Sequence, residues 1–392
     1  MVNSIVELLF NKNIDVNKYK VAITSIAYLF LIYYVLLYAR VIFNGGDAWK
    51  TGDWLINYEG GLIRRGLIGQ VLYEISRLGI SLLWIAFFLQ SLIYFSIAYL
   101  ILMLFFATKR ESSWLLFIFS PAFIFLFPFL TVQGGFRKEI IVFLSFCLLA
   151  RGLIHGRFNQ RYLILSLIVY IFAVFSHESA VFCLIFFLYL LFESTKSDPA
   201  LKGIGRAYIA GFLIAGAGGL VFSVSYPGGL YESNAICDSL KNIGLNQKIC
   251  EGAIKYLRND YNYALTSVAK VIPQYLLYYP IYLILAAVPL FLSDWWKKRL
   301  PLLILGFVSL IPMFIVALDW GRFIHIYIFM VFVSILLDTC NNSTHIRKIP
   351  LIAVIIYTGV WGMPYFAPTP SLGVLGKGLS AIHALYALTP WH

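Results

Sequence analysis

Residues 80–107 read ISLLWIAFFLQSLIYFSIAYLILMLFFA and carry no charged side chain. A helix of this length crosses a hydrocarbon core of about 30 Å, for which about 20 apolar residues suffice. Similar runs recur on either side of it through 392 residues that are 61% hydrophobic and only 12% charged. A soluble domain carries roughly 25% charged residues, so the fold class is all-α, a polytopic integral membrane protein. The net charge of +12 does not point to nucleic acid. Lys and Arg collect at span ends on one side of a membrane, and the chain has no basic low-complexity tail.

Outward from that run, apolar segments at 21–43, 114–131, 140–153, 162–176, 180–192, 207–226, 271–292, 302–317, 323–337 and 350–366 make about eleven expected spans. Basic clusters at Lys109-Arg110, Arg151 to Arg161, Lys196 to Arg206, Lys297 to Arg299 and Arg347-Lys348 mark the inward ends. The N-terminus is then cytoplasmic and the C-terminus outside, with no cleavable signal peptide in view. Residues 1–392 read as a single transmembrane domain with a first outer loop at 44–79 and a large outer loop at 227–270. Leu62–Leu78 has the spacing of an amphipathic interfacial helix. The outer loop holds Cys237 and Cys250, close enough in sequence to form a disulfide in an oxidising compartment.

The first outer loop contains DAWKTGDWLINYEGGLIRRGLIGQ at 47–70, dense in charge for this chain. Three more clusters fall at outward span ends: Arg137-Lys138-Glu139, His177-Glu178, and Asp319 with Arg322 and His325. Ionisable groups at membrane depth are costly and face a cavity or a partner. Their gathering on one face points to a site reached from outside. Arg64, Arg65, Arg137 and Arg322 are forks suited to phosphate oxygens, with Lys138 a point charge and His325 a further binding group. Asp53, Glu139, His177, Glu178 and Asp319 are the candidate proton acceptors and catalytic groups. Trp49, Trp54 and Trp320 lie near the clusters and are placed to stack on sugar rings. Each cluster also has a plainer reading: Arg64-Arg65 as a headgroup anchor, Arg137 to Glu139 as a solvated turn, Asp319 and Arg322 as a pair on one helical turn. The six His are dispersed and no C-x-x-C occurs, so no metal site and no cofactor is expected.

The stretches GFRKEIIVFLSFCLLARGLIHGR (135–157) and RYLILSLIVYIFAVFSHESAVFCLIFFL (161–188) resemble bacterial EpsG-like and Wzy-type polysaccharide polymerases. NYEGGLIRRGLIG (57–69) and Asp319-Trp-Gly-Arg322 add to the likeness. Arg137 and His177 are the positions that match, whereas Lys138-Glu139 depart from the uncharged residue that many relatives carry. The resemblance implies a GT-C-like membrane glycosyltransferase of the bacterial inner membrane. It would join undecaprenyl-diphosphate-linked repeat units into O-antigen, capsule or exopolysaccharide at the periplasmic face. Its partners would be polyprenyl-diphosphate-linked glycans, membrane lipid, and a chain-length regulator and a flippase of the same pathway. The alternatives are a flippase or transporter of lipid-linked oligosaccharide, or another glycosyl- or acyltransferase with a polyprenyl-linked donor.

Overall fold

A computed structural model of the chain describes residues 7, 9–197, 202–259, 261–342, 344–366 and 371–387. Residues 1–6, 8, 198–201, 260, 343, 367–370 and 388–392 lie outside these residues, and so do the expected positions of the chain ends. Among the described residues the regular structure is helical, joined by loops and turns, apart from a two-residue antiparallel pair, Trp361–Gly362 with Ser371–Leu372, and two isolated bridges. Six helices are long and apolar enough to cross a membrane: Val16–Phe43, Leu82–Phe105, Ser179–Lys196, Lys202–Ser225, Asn262–Phe291 and Trp320–Asn341. Gln160–Ser176, Leu300–Val316 and Leu351–Val360 are shorter apolar helices. We number the principal helices α1 (Lys20–Phe43), α2 (Gly66–Ser76), α3 (Leu82–Phe105), α4 (Glu139–Gly152) and α5 (Gln160–Ser176). There follow α6 (Leu184–Ser197), α7 (Lys202–Ser225), α8 (Leu230–Asn242), α9 (Tyr261–Phe291), α10 (Leu300–Val316) and α11 (Trp320–Asn341).

The centre of the bundle is α11, whose residues from Trp320 to Leu337 are all buried. A helix that is apolar all round belongs inside, and α3, α4 and α10 surround this one. By contrast α7 and α9 leave Leu213, Ile214, Val221, Leu276, Leu277 and Ile284 exposed, the surface that lipid would cover.

Three sequence expectations need correction. Residues 114–131 do not form one spanning helix. Short turns at Leu115–Ile118 and Phe127–Leu130 flank an irregular stretch. Pro121 and Pro128 bias the preceding residues away from helix and remove N–H donors. Phe117, Ile118, Ala122 and Phe123 are fully enclosed, and non-helical backbone is tolerated at membrane depth only where protein covers it. The last ten residues of the expected 227–270 loop are helical rather than irregular, because α9 already begins at Tyr261. Finally, the amphipathic piece is shorter than 62–78. As α2 it packs against α3 and α5, burying Ile68, Leu72 and Tyr73, and a Cβ on Gly69 would overlap the Ile56 carbonyl.

Contacts sort the connections into two sets at opposite ends of the bundle. One end gathers Asp15 with Glu111, Arg110 with Thr339, His155 with Cys340, and Arg299 with Glu193 and Asp338. The other end gathers the 44–65 segment, the start of α4, the end of α5, the start of α11 and the 227–260 loop. That loop is a cap: α8 and a 3-10 turn at Gln247–Cys250 are joined by the Cys237–Cys250 disulfide, as the sequence suggested. It rests on the first loop through Ala253 N–H to Ala48 O (3.0 Å) and Asn57 Nδ2 to Ser239 Oγ (3.1 Å). A Cβ on Gly52 would lie 2.7 Å from the Ile249 carbonyl, so the two loops touch backbone to backbone there.

Candidate functional site

The four charged clusters meet beneath this cap. Their positioning starts at Phe136, a bulky residue held at φ +55°, a left-handed conformation costing on the order of 1–2 kcal/mol. Its carbonyl accepts from Trp54 Nε1 (2.9 Å) and Gln90 Nε2 (3.1 Å), and its N–H donates to the Tyr94 hydroxyl (3.1 Å). Its ring stacks on Tyr38 and Tyr34, with centroids 4.1 and 4.7 Å apart. This grip aims the next three residues, Arg137, Lys138 and Glu139, into the interior, where all are buried. Arg65 is the second residue with left-handed backbone here, at φ +69°. Strain of this kind persists where the surroundings over-determine it, commonly at functional sites.

Two ionic groups result. In the first, Arg65 grips Glu178 through Nε (2.8 Å to Oε2) and Nη2, while Arg64 Nη1 stands 3.8 Å away from the same carboxylate. Lys138 Nζ donates to the Arg65 carbonyl at 2.7 Å and lies 3.9 Å from Asp53 Oδ1. In the second, Asp319 Oδ2 lies 3.1 Å from Arg322 Nη1 and 3.8 Å from Arg137 Nη2. Arg322 Nε lies 3.4 Å from Glu139 Oε1. These last contacts are within ion-pair range but lack hydrogen-bond geometry. Arg137 Nε and Nη1, Arg322 Nε and Nη1, both Glu139 oxygens and Asp53 Oδ1 are buried without a hydrogen-bond partner.

Asp319 and Arg322 do pair on one turn, but they share that pair with Arg137. Arg64 and Arg65 are not a headgroup anchor, and Arg137 to Glu139 are not a solvated turn. Burial pushes the Asp53 carboxyl up, yet the surrounding cations, Lys138 first, bring it down to about 2. Burial drives the Lys138 ammonium down to about 8 although Asp53 opposes this. Glu178 resists burial because Arg65 holds it well below the usual carboxylate range. The His177 imidazole is pushed down to about 3, by burial first and by Arg65 next. Its Nδ1 accepts from the Ser179 N–H at 3.2 Å. That assigns the proton to Nε2 and makes His177 a neutral donor at pH 7 rather than a base.

Three of the sequence-based site residues belong to the packing instead. Trp54 is fully enclosed and serves the Phe136 clamp, so it offers no face to a sugar. The indole of Trp320 packs on Tyr275, Tyr279 and Phe314 and turns toward an apolar cleft. His325 stacks on Phe127 at 4.1 Å, with Nδ1 2.7 Å from the Ala122 carbonyl. It sits one turn inside Arg322 among Phe143 and Phe329, away from the ion pairs.

The sequence reading counted Lys50 among the charges of 47–70 without giving it a role in the site, and grouped Trp49 with Trp54 and Trp320 as a stacking candidate. Lys50 is buried, with Nζ 3.3 Å from the Val132 carbonyl and 5.4 Å over the Tyr38 ring. The Arg137 guanidinium lies between Trp49 (5.9 Å) and Tyr365 (5.8 Å). Trp49 is 44% exposed and packs on Tyr256 of the cap. The signal for Lys50 was present in the density of charge in 47–70; nothing in spacing singled out Trp49 over Trp54. Lys50, Arg64, Arg65, Arg137, Lys138 and Arg322 outnumber Asp53, Glu139, Glu178 and Asp319, even when Asp47 beside Lys50 is added. A buried cluster with surplus cations and unpartnered guanidinium N–H groups suits an anion with several oxygens. Comparison with known protein families, with curated proteins and with solved structures returns no significant match.

Proposed function

We propose that the protein is a membrane glycosyltransferase that polymerises oligosaccharide repeat units carried on a polyprenyl diphosphate. The observation that carries this reading is Arg137, buried between two aromatic rings with Nε and Nη1 unpartnered. In this reading the donor diphosphate lies on Arg137, Arg322, Lys138 and Lys50, which disperse charge as the bond from the anomeric carbon to the phosphate oxygen breaks. The acceptor hydroxyl forms the new bond to that carbon, and Glu139, whose oxygens have no hydrogen-bond donor, takes its proton. His177 Nε2–H donates to a substrate oxygen, and Trp49, of the three tryptophans considered from sequence, supplies the sugar-stacking face together with Tyr365 and Tyr256. The apolar cleft of about 220 Å3 between α9, α10 and α11, lined by Leu276, Tyr279, Phe307, Phe314 and Trp320, offers a path for the lipid tail beside the site.

The same reading has about eleven crossings in a GT-C-like arrangement, with 114–131 crossing as a broken segment. The cap is periplasmic, the N-terminus cytoplasmic, and the membrane the bacterial inner membrane. The test is the surface-glycan ladder of cells deleted for the gene and complemented with wild type or Arg137→Gln. Collapse to a core bearing one repeat unit, unrescued by Arg137→Gln at equal membrane level, supports polymerisation. Accumulation of repeat units at the inner leaflet would instead show a flippase. Loss of a decoration at unchanged chain length would show a side-group transferase.

A further inference from the structure

The opposite end of the bundle holds a large cavity, and none of the candidate-site residues lines it. The turn between α4 and α5 carries His155 at φ +57° and Gly156 at φ +66°. It folds back to form a cleft of about 660 Å3 lined by Arg151, His155, Arg157, Asn159, Gln160 and Arg161. Helix α4 separates it by about 20 Å from Glu139 at the other end, at 1.5 Å per residue. No carboxylate lines this cleft. The nearby Glu193 and Asp338 are held by Arg299 at 2.5 and 2.9 Å. Among the described residues, the side chains of Arg151, Arg157 and Arg161 make no hydrogen bond or ion pair. Arg151 Nε is buried without a partner, and its guanidinium lies 5.2 Å over the Tyr162 ring.

Charge bias at span ends explains why arginines occur on this face. It does not explain three of them converging on one cavity with a desolvated N–H left unpaired, which an isolated anchor would leave in water. An exposed apolar surface follows the cleft along α5. From Arg161 along α5, Ile164, Leu165 and Ile168 follow at helical spacing and are all exposed. An anion that fits both parts has a phosphate head and apolar chains.

We propose that this cleft binds the phosphate of an anionic phospholipid, with its acyl chains along Ile164, Leu165 and Ile168. Basic pockets between membrane helices take such headgroups, and each nearby Arg strengthens binding roughly fivefold. The site does not depend on the glycosyltransferase reading.

Native mass spectrometry of the detergent-solubilised protein titrated with phosphatidylglycerol tests this, with phosphatidylethanolamine and inorganic phosphate as parallel probes. Wild type retains phosphatidylglycerol in preference to the zwitterionic lipid. The Arg151→Gln/Arg157→Gln/Arg161→Gln variant binds it on the order of 100-fold more weakly, while Lys109→Gln/Lys297→Gln at the same end binds as wild type. If the triple variant does not fold, Arg157→Gln alone, at an exposed position, weakens binding about fivefold with an unchanged melting temperature. Equal weakening by the Lys109/Lys297 variant would overturn the proposal in favour of diffuse charge attraction. Displacement of the lipid by inorganic phosphate at equal concentration would overturn the lipid in favour of a free-phosphate site.

Discussion

Glu178 combines a carboxylate with an adjacent His in a site-like place, yet its geometry is that of a strut. Arg65 meets it through two guanidinium nitrogens, and Arg64 stands behind. Replacing Glu178 by Gln strands the Arg65 charge in the interior, and breaking a buried pair from one side costs about 3–5 kcal/mol. Unfolding entropy of about 2.1 cal/mol/K per residue gives roughly 0.8 kcal/mol/K for a chain of this length, so the melting temperature drops by about 4–6 °C. Arg65→Gln should cost a similar amount, because Glu178 is then the stranded charge. The double variant Arg65→Gln/Glu178→Gln removes both charges and recovers most of the loss, the non-additivity of a coupled pair. A maleimide dye that fluoresces on reaching the buried free cysteines Cys147 and Cys183 reads the transition. Glycan-ladder complementation by the double variant reads function in parallel. Unchanged melting in Glu178→Gln, or a double variant no more stable than the weaker single one, would refute the strut. A double variant that folds as wild type yet makes no polymer would return Glu178 to the catalytic set.

Other consequences follow from the same geometry. As pH rises through about 8, Lys138 loses its proton, the cationic surface shrinks, and polymerisation in proteoliposomes falls; Lys138→Arg removes that alkaline limb. The fold itself bears the cost of the Lys138 charge below pH 8 and is relieved of it between about 8 and 10.5. His177 has a slope of the same sign in a lower window. The unfolded chain takes the proton near 6.5 and the folded one only near 3, so stability falls as pH drops from 6.5, and His177→Gln flattens that slope in a melting series. Trp49→Ala should raise the apparent KM for lipid-linked substrate at unchanged melting temperature, whereas Trp54→Ala should cost about 3–5 kcal/mol of stability. Equal effects of the two Trp variants on melting would remove Trp49 from the rim. Reducing Cys237–Cys250, which spans 13 positions, should loosen the cap by about 3 kcal/mol, read as faster proteolysis within 227–260.

Composition and run length by themselves determined that this is a helical membrane protein. They also sorted the charged clusters to one end, because desolvation confines ionisable groups to few places along such a chain. The residue types that meet there were legible too: Arg137, Arg322, Asp319, Lys138, Asp53 and Glu178 all share the site. The tertiary structure decided the partners and the orientation of each side chain. Arg65 grips Glu178 across more than a hundred residues of sequence, and no spacing rule encodes such a meeting. Trp54 and Trp49 lie five positions apart, yet one is enclosed and the other open, since the Phe136 carbonyl claims only Trp54. The broken 114–131 segment followed the same logic. Its hydropathy reads as a span, but its two prolines are tolerated at depth only because neighbouring helices enclose the exposed backbone, and enclosure is a property of the packed bundle.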